Sequence, residues 1–264
     1  MKRRVIFVMA GAVAGAIIVL TAFFVINAAK DRGLQAVGKS VPMFALVLDD
    51  LGYTRKNLEA IKSMGVSLTL AVLPNVPYSS AVCSFAREND LEVILHLPME
   101  PEDRTVSMEE RTISGDMSDE TVKENIASAF HSVSTAKGVS NHMGSRATGD
   151  HRLMTVILGD LNKRNMFFLD SCTTGDSVCE QAAMDTGVPY LRRDIFIDNR
   201  CEEGQVRQQL EKAEKRAFLN GRVIAIGHDR EATIDVLREA IPGMKERGIR
   251  FVKLSEALTL PEKR

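Results

Sequence analysis

The chain has 264 residues, 45% of them hydrophobic, with 34 Lys and Arg against 35 Asp and Glu, which is enough apolar material for one large core or two small ones. The near balance of charge hides an asymmetry. Residues 1–40 carry six bases and one acid, leaving 28 bases against 34 acids in the remainder, and an acidic main domain without a basic stripe excludes nucleic acid as the partner.

Residues 5–29 form an uncharged, mostly apolar run, long enough to cross a bilayer of roughly 30 Å at about 1.5 Å per residue. Lys2, Arg3 and Arg4 precede it, so the positive-inside rule predicts a cytoplasmic amino terminus and an exported main domain. The apolar core of a signal peptide is shorter, about 7–15 residues, and ends in a small-x-small site that Ile26-Asn27-Ala28 matches poorly. An uncleaved anchor is therefore the favoured reading, with the main domain held periplasmic on the membrane. A cleaved signal and a secreted domain is the alternative. Three segments follow: an anchor over 1–29, a short polar tether over 30–42, and a main domain over 43–264. Export permits disulfides, and Cys172 and Cys179, which flank a polar turn, form the candidate pair. Free thiols are an equal reading. No Cys-x-x-Cys spacing supports a zinc-thiolate site.

Phe44-Ala-Leu-Val-Leu-Asp-Asp-Leu-Gly52 reads as a buried strand that ends in two adjacent carboxylates. Such a pair costs free energy by like-charge repulsion unless a cation or a shared proton relieves it. Thr54 is read as the cap of a helix with Leu58, Ile61 and Met64 on one face, stopped at Gly65. Strands are predicted over 68–73, 91–98, 139–145, 166–170, 222–228 and 250–254, with one or two pieces over 188–198. Helices are predicted over 79–88, from a Ser118 cap through Val133, and over 153–161, 181–186, 205–219 and 233–240. A polar insertion over 99–117 has the look of a loop beside a site.

Strand and helix alternate without a linker after the tether, which is the signature of a parallel α/β fold. Seven or eight strand candidates predict a barrel rather than an open sheet. No GxGxxG follows the first strand and no GxxxxGK[ST] occurs, so a nucleotide cofactor has no support. Polar residues collect where the apolar runs stop: Asp49 and Asp50, His96, Asn141 and His142, Asp170, and His228. In a parallel barrel these strand ends share one face. His131 and His151 fall on a helix and in a turn and read as structural. One carboxylate with two imidazoles is a usual first shell for zinc or another divalent ion. A second carboxylate suits a general base and a further histidine suits a general acid, a kit for metal-assisted hydrolysis of an amide or ester.

Leu46-Val-Leu-Asp-Asp-Leu-Gly52, His96-Leu-Pro-Met-Glu-Pro101, Asn141-His-Met-Gly-Ser-Arg146, Phe168-Leu-Asp-Ser171 and Ile226-Gly-His228 together resemble the divergent polysaccharide deacetylase family, over residues 42 to near the carboxyl terminus. The resemblance implies a distorted (β/α)7–8 barrel and removal of acetyl groups from an N-acetylated cell-envelope glycan. It implies Asp49 as general base, Asp50 as a metal ligand and His228 as general acid. Ordinary deacetylases draw both metal histidines from one His-x-x-x-His segment, which is absent after His96. The second is therefore assigned to His142 on the next strand, giving Asp50, His96 and His142 as the metal set. Asp170 resembles the residue that supports the site and orients a histidine. Asn141, Ser145, Arg146 and Tyr53 are candidate substrate contacts, with Arg146 placed to recognise an acidic group and Tyr53 to wall the pocket. Glu100 is read as a loop anchor. The altered histidine motif and the scarcity of aromatics leave a second reading, a non-catalytic glycan- or protein-binding module on the same barrel.

Overall fold

The computed structural model describes residues 41–259. The membrane segment and most of the tether expected from the sequence lie outside the described residues. Among the described residues no helix is long and apolar enough to cross a membrane.

Among the described residues nine strands form one parallel sheet: β1 (Met43–Leu51), β2 (Thr69–Val72), β3 (Glu92–Met99), β4 (Gly138–Met143), β5 (Phe167–Asp170), β6 (Tyr190–Arg192), β7 (Ile195–Phe196), β8 (Arg222–His228) and β9 (Arg250–Val252). The helices are α1 (Leu58–Ser63), α2 (Ser79–Glu88), α3 (Asp119–Ser132), α4 (His151–Lys163), α5 (Cys179–Thr186), α6 (Glu203–Asn220), α7 (Glu231–Glu246) and α8 (Leu254–Ala257). The strand order is β6-β5-β4-β3-β2-β1-β8-β7, with β9 added on β1.

The central strand explains the arrangement. Phe44 to Leu48 are fully buried, as expected for a parallel strand covered on both faces. Leu46→Ala would remove a buried side chain from both transfer and packing, a cost of about 2–5 kcal/mol. Helix limits follow local chemistry. Ser118 caps α3 by accepting the Thr121 N–H, and Asp150 caps α4 by accepting the Leu153 N–H. Thr54 does not start α1. Its hydroxyl accepts the Lys56 N–H in a local turn, and the helix begins only at Leu58. The short α8 has too few residues to show a period and was not expected.

The sheet curls but does not close, which corrects the expectation of a full barrel. Its two edges, β6 and β7, are consecutive in the chain, and each pairs only inward, β6 with β5 and β7 with β8. Strands of three and two residues, separated by Arg193-Asp194, offer too little ladder to join. Side chains span the opening instead. The Arg193 guanidinium donates to the carbonyls of Ser171 and Cys172 at 2.6 and 3.0 Å and lies over the Phe196 ring at 3.8 Å. All four cysteines are free thiols, so of the two readings of Cys172 and Cys179 the unpaired one holds here.

Candidate functional site

The site forms at the carboxyl ends of β1, β3, β4 and β8. Register does the first placement: Asp49 pairs with His228 across β1 and β8, His96 with Ser140, and Pro98 with His142 across β3 and β4. Neighbouring side chains on a strand diverge, so Asp49 and Asp50 would face opposite sides of a regular β1. The structure avoids this at Asp50, whose φ of +64° breaks the pleat. Asx residues tolerate that region better than most, and holding one there costs of order 1–3 kcal/mol. As a result both carboxylates meet one imidazole: Nε2 of His96 lies 3.3 Å from Oδ1 of Asp50 and 3.6 Å from Oδ2 of Asp49.

The histidines are held in turn. Nδ1 of His96 sits 2.8 Å from the Ser140 hydroxyl, so a proton on Nδ1 leaves the Nε2 lone pair facing the carboxylates. Nδ1 of His142 is 2.9 Å from Oδ1 of Asp50, and the two imidazole rings meet edge to face at 5.0 Å. Asp50, His96 and His142 each offer one ligand atom, and these atoms lie within 4.8 Å of one another. Donors about 2.0–2.2 Å from a shared ion need only small side-chain adjustments from that spread. Buried polar atoms test the fit independently. Oδ1 of Asp49 and Oδ1 of Asp50 are buried without a hydrogen-bond partner, a costly state that a bound cation and its water would relieve. The donor set therefore fits a divalent ion.

Electrostatics divides the Asp pair. Burial would raise Asp50, but His142 and His96 outweigh it and hold the carboxyl far below the usual range. Burial raises Asp49, and the pull of His96 and His228 does not overcome it. Burial lowers His142, yet Asp50 and Glu109 bring it up to about 9. One carboxylate is thus committed to its histidines while the other retains affinity for a proton.

Two residues that sequence reasoning missed complete the site. Asp198, fully buried just past β7, places Oδ1 2.7 Å from Nδ1 of His228 and takes the His228 N–H and the Thr233 hydroxyl on Oδ2, each at 2.7 Å. The histidine-orienting role expected of Asp170 therefore belongs to Asp198. Asp170 accepts from the Cys172 N–H, the Ser177 hydroxyl and the Tyr190 hydroxyl instead, and it braces the turn after β5. The second missed residue is Glu109, whose Oε2 lies 3.3 Å from Nε2 of His142 and whose Oε1 accepts the Tyr53 hydroxyl at 2.8 Å.

The expected substrate contacts separate. Asn141 is buried and spent on structure, accepting the Ser171 N–H and donating to the Met143 carbonyl, so it has no free amide for a substrate. Ser145 accepts the Glu102 N–H. Tyr53 stays half exposed, and Arg146 is exposed and lines a separate cleft of about 540 Å3 beside the loops that follow β3 and β4. Glu100 is buried and ties Arg104 and the Gly115 N–H, an anchor for the long insertion.

Parallel strands, a curled open sheet and these strand-end groups can be set against known proteins. The divergent polysaccharide deacetylase family matches residues 46–258. The chain belongs to that family. A relative in Escherichia coli K12, the uncharacterised protein YibQ, is 35% identical over 218 residues, covering 83% of this chain and 68% of that one. Among solved structures, an uncharacterised protein of Agrobacterium tumefaciens C58 superposes with a TM-score of 0.76 at 20% identity, over 83% of this chain and 90% of its own. The catalytic domain of a peptidoglycan N-acetylglucosamine deacetylase from Eubacterium rectale gives 0.51 at 13% identity, over 84% and 91%. A mutant of BA3943, a CE4 family pseudoenzyme with restored enzymatic activity, gives 0.52 at 13% identity, over 83% and 68%. At these identities the solved structures speak for the fold, and the reading of the site rests on this chain's own residues.

Proposed function

We propose that this protein is a metal-dependent hydrolase that removes acetyl groups from an N-acetylated glycan of the cell envelope. The observation that carries this reading is the convergence of Asp50, His96 and His142 beside a separate, proton-binding Asp49. Membership of the deacetylase family supplies the substrate class. The basic residues 2–4 and the apolar run over 5–29 support an anchored domain outside the cytoplasm.

Asp50, His96 and His142 would hold the ion, and the donor set suits zinc. When bound, the ion supplies Lewis-acid polarisation of the substrate carbonyl and a water of lowered pKa. Asp49 takes the proton from the attacking water. Its Oδ1 is unpartnered and its pKa is raised, as a base needs. His228 returns a proton to the leaving nitrogen. Burial lowers its pKa, but Asp198, Asp49 and Asp50 outweigh burial and raise it, favouring the protonated ring that an acid must start from. Phe196 stacks on that ring at 5.6 Å and limits its rotation.

The test is metal content and acetate release from N-acetylated glycan, measured on the wild type, Asp50→Ala and His142→Ala. Wild type should bind about one divalent ion and release acetate, and both variants should lose the two together. Acetate release without bound metal would overturn the mechanism. Glycan binding without acetate release would restore the binding-module reading.

A further inference from the structure

Glu109 belongs to neither the expected metal set nor the expected catalytic groups, yet it reaches the centre of the site. It lies on the loop between β3 and α3, which returns to the sheet through Ile113: the Ile113 N–H donates to the Pro98 carbonyl, and the Glu100 N–H to the Ile113 carbonyl. Within that loop the Glu109 carbonyl accepts from both the amide and the hydroxyl of Thr112, and Arg111 takes a φ of +61°. The turn so formed carries Glu109 inward, where its side chain is 13% exposed.

There Oε2 of Glu109 stands 3.3 Å from Nε2 of His142, an ion-pair contact out of hydrogen-bond alignment, and both atoms are buried with no hydrogen-bond partner. The opposite ring nitrogen, Nδ1, faces Asp50 at 2.9 Å. Among the described residues the set with mutually close ligand atoms comprises Asp50, His96 and His142, and Glu109 falls outside it. It is therefore placed to act on the histidine rather than on an ion. A carboxylate that accepts the second N–H of a ligating histidine fixes its tautomer and ring angle, and losing such a partner typically costs about 10–100-fold in metal affinity.

We propose that Glu109 is the positioning residue of His142. It accepts the Nε2 proton so that Nδ1 presents its lone pair on the Asp50 side, and the Tyr53 hydroxyl holds the carboxylate in place. This rests on the metal-hydrolase reading above. The loop between β3 and α3 then becomes part of the metal centre, and its ordering and metal affinity are coupled through the Glu109–His142 contact.

Zinc dissociation constants of the full-length protein, measured by chelator competition, test this for the wild type, Asp50→Ala, Glu109→Ala and Glu109→Gln. Spectra of 15N-histidine-labelled, zinc-loaded protein add a direct view of the His142 ring, assigned by its loss in His142→Gln. Glu109→Ala should weaken zinc about 10–100-fold and expose the His142 Nε2 proton to exchange. Glu109→Gln, which keeps an acceptor oxygen of the same reach, should recover most of the affinity and the protected proton. Equal affinity in the wild type and both Glu109 variants, with zinc lost in Asp50→Ala, would overturn the proposal and leave the metal reading standing. A Gln variant as weak as the Ala variant would overturn it by making Glu109 a direct ligand. Undiminished zinc binding in Asp50→Ala would remove the metal reading and this proposal together.

Discussion

Oδ1 of Asp198 lies 2.7 Å from Nδ1 of His228, and Oδ2 of the same carboxylate takes the backbone N–H of the same histidine. The ring is thus fixed at both its side chain and its backbone by one fully buried group. Asp198→Asn keeps the size but turns an amide NH2 toward a donor, the His228 N–H or its ring. The expected cost is about 1–3 kcal/mol of stability from the unsatisfied buried donor. Acetate release should fall about 100-fold, since a general acid contributes roughly that much or more. Zinc binding should be unchanged, which a parallel affinity measurement checks.

The same pair sets a pH dependence of stability. Burial would raise Asp198, but its bonds to His228 and Thr233 outweigh this and lower it. Its contribution is therefore present above the unfolded value of about 3.9 and lost as pH falls through the depressed folded value. His228 is raised, so its contribution is full below about 6.5 and lost as pH rises through the folded value. The pair stabilises most between about pH 4 and 6.5. Urea midpoints of the wild type and Asp198→Asn should differ more at pH 5.5 than at pH 9. A constant gap would show that the pair does not titrate as a unit.

Most of the fold was legible in the sequence because each buried strand is an apolar run closed by a polar residue. That rule also found Asp49, Asp50, His96, His142 and His228. It could not find closure of the sheet, which depends on how far β6 and β7 extend. Those strands are too short to carry a pattern, so the gap that Arg193 spans had no signal. Asp198 had a weak one, since it ends a strand piece as Asp170 does, but spacing alone cannot tell which carboxylate faces a histidine. The family resemblance points to Asp170, but the turn after β5 uses that carboxylate instead. Glu109 had none. It is followed by Glu110 and Arg111 in the polar insertion, and only the return of the loop to the sheet brings it to His142.

Gly227 shows how closely the carboxyl end of β8 is packed. A Cβ there would stand 2.9 Å from Cδ1 of Ile197 and 3.1 Å from Cγ2 of Thr233. Ile197 immediately precedes Asp198, and Thr233 donates to it, so relieving the clash moves the group that orients His228. Gly227→Ala should cost about 1–3 kcal/mol by overpacking. It should also reduce acetate release more than zinc affinity, which thermal melts and the two assays can separate.

The thiols offer a check on the fold itself. Cys201 is exposed, Cys172 half-buried, and Cys83 and Cys179 buried. Burial pushes the Cys83 and Cys179 thiols up, which disfavours the reactive thiolate. Alkylation of native protein should modify Cys201 first and leave Cys83 and Cys179 intact until urea is added. A mass two protons short of four free thiols would instead reveal a disulfide.

Asp49→Asn should separate chemistry from binding and expose the cost of the carboxylate pair. Asn fits the same space beneath His96 but cannot take a proton from water. Acetate release should therefore drop about 100- to 10,000-fold while zinc remains bound through Asp50, His96 and His142. Stability should move the other way. Burial raises the folded pKa of Asp49, so its stabilising contribution is full below the unfolded value of about 3.9 and lost as pH rises through the folded value. As pH rises toward neutrality the metal-free wild type bears the cost of keeping this carboxyl buried beside Asp50, a cost the variant lacks. Metal-free Asp49→Asn should then be more stable at pH 7 by about 0.5–2 kcal/mol, the range usual when a strained functional group is neutralised. The gap should close near pH 4, where the wild-type carboxyl is protonated. Urea denaturation of both metal-free proteins at the two pH values measures this, and an Asn variant with undiminished acetate release would take Asp49 out of the proton path.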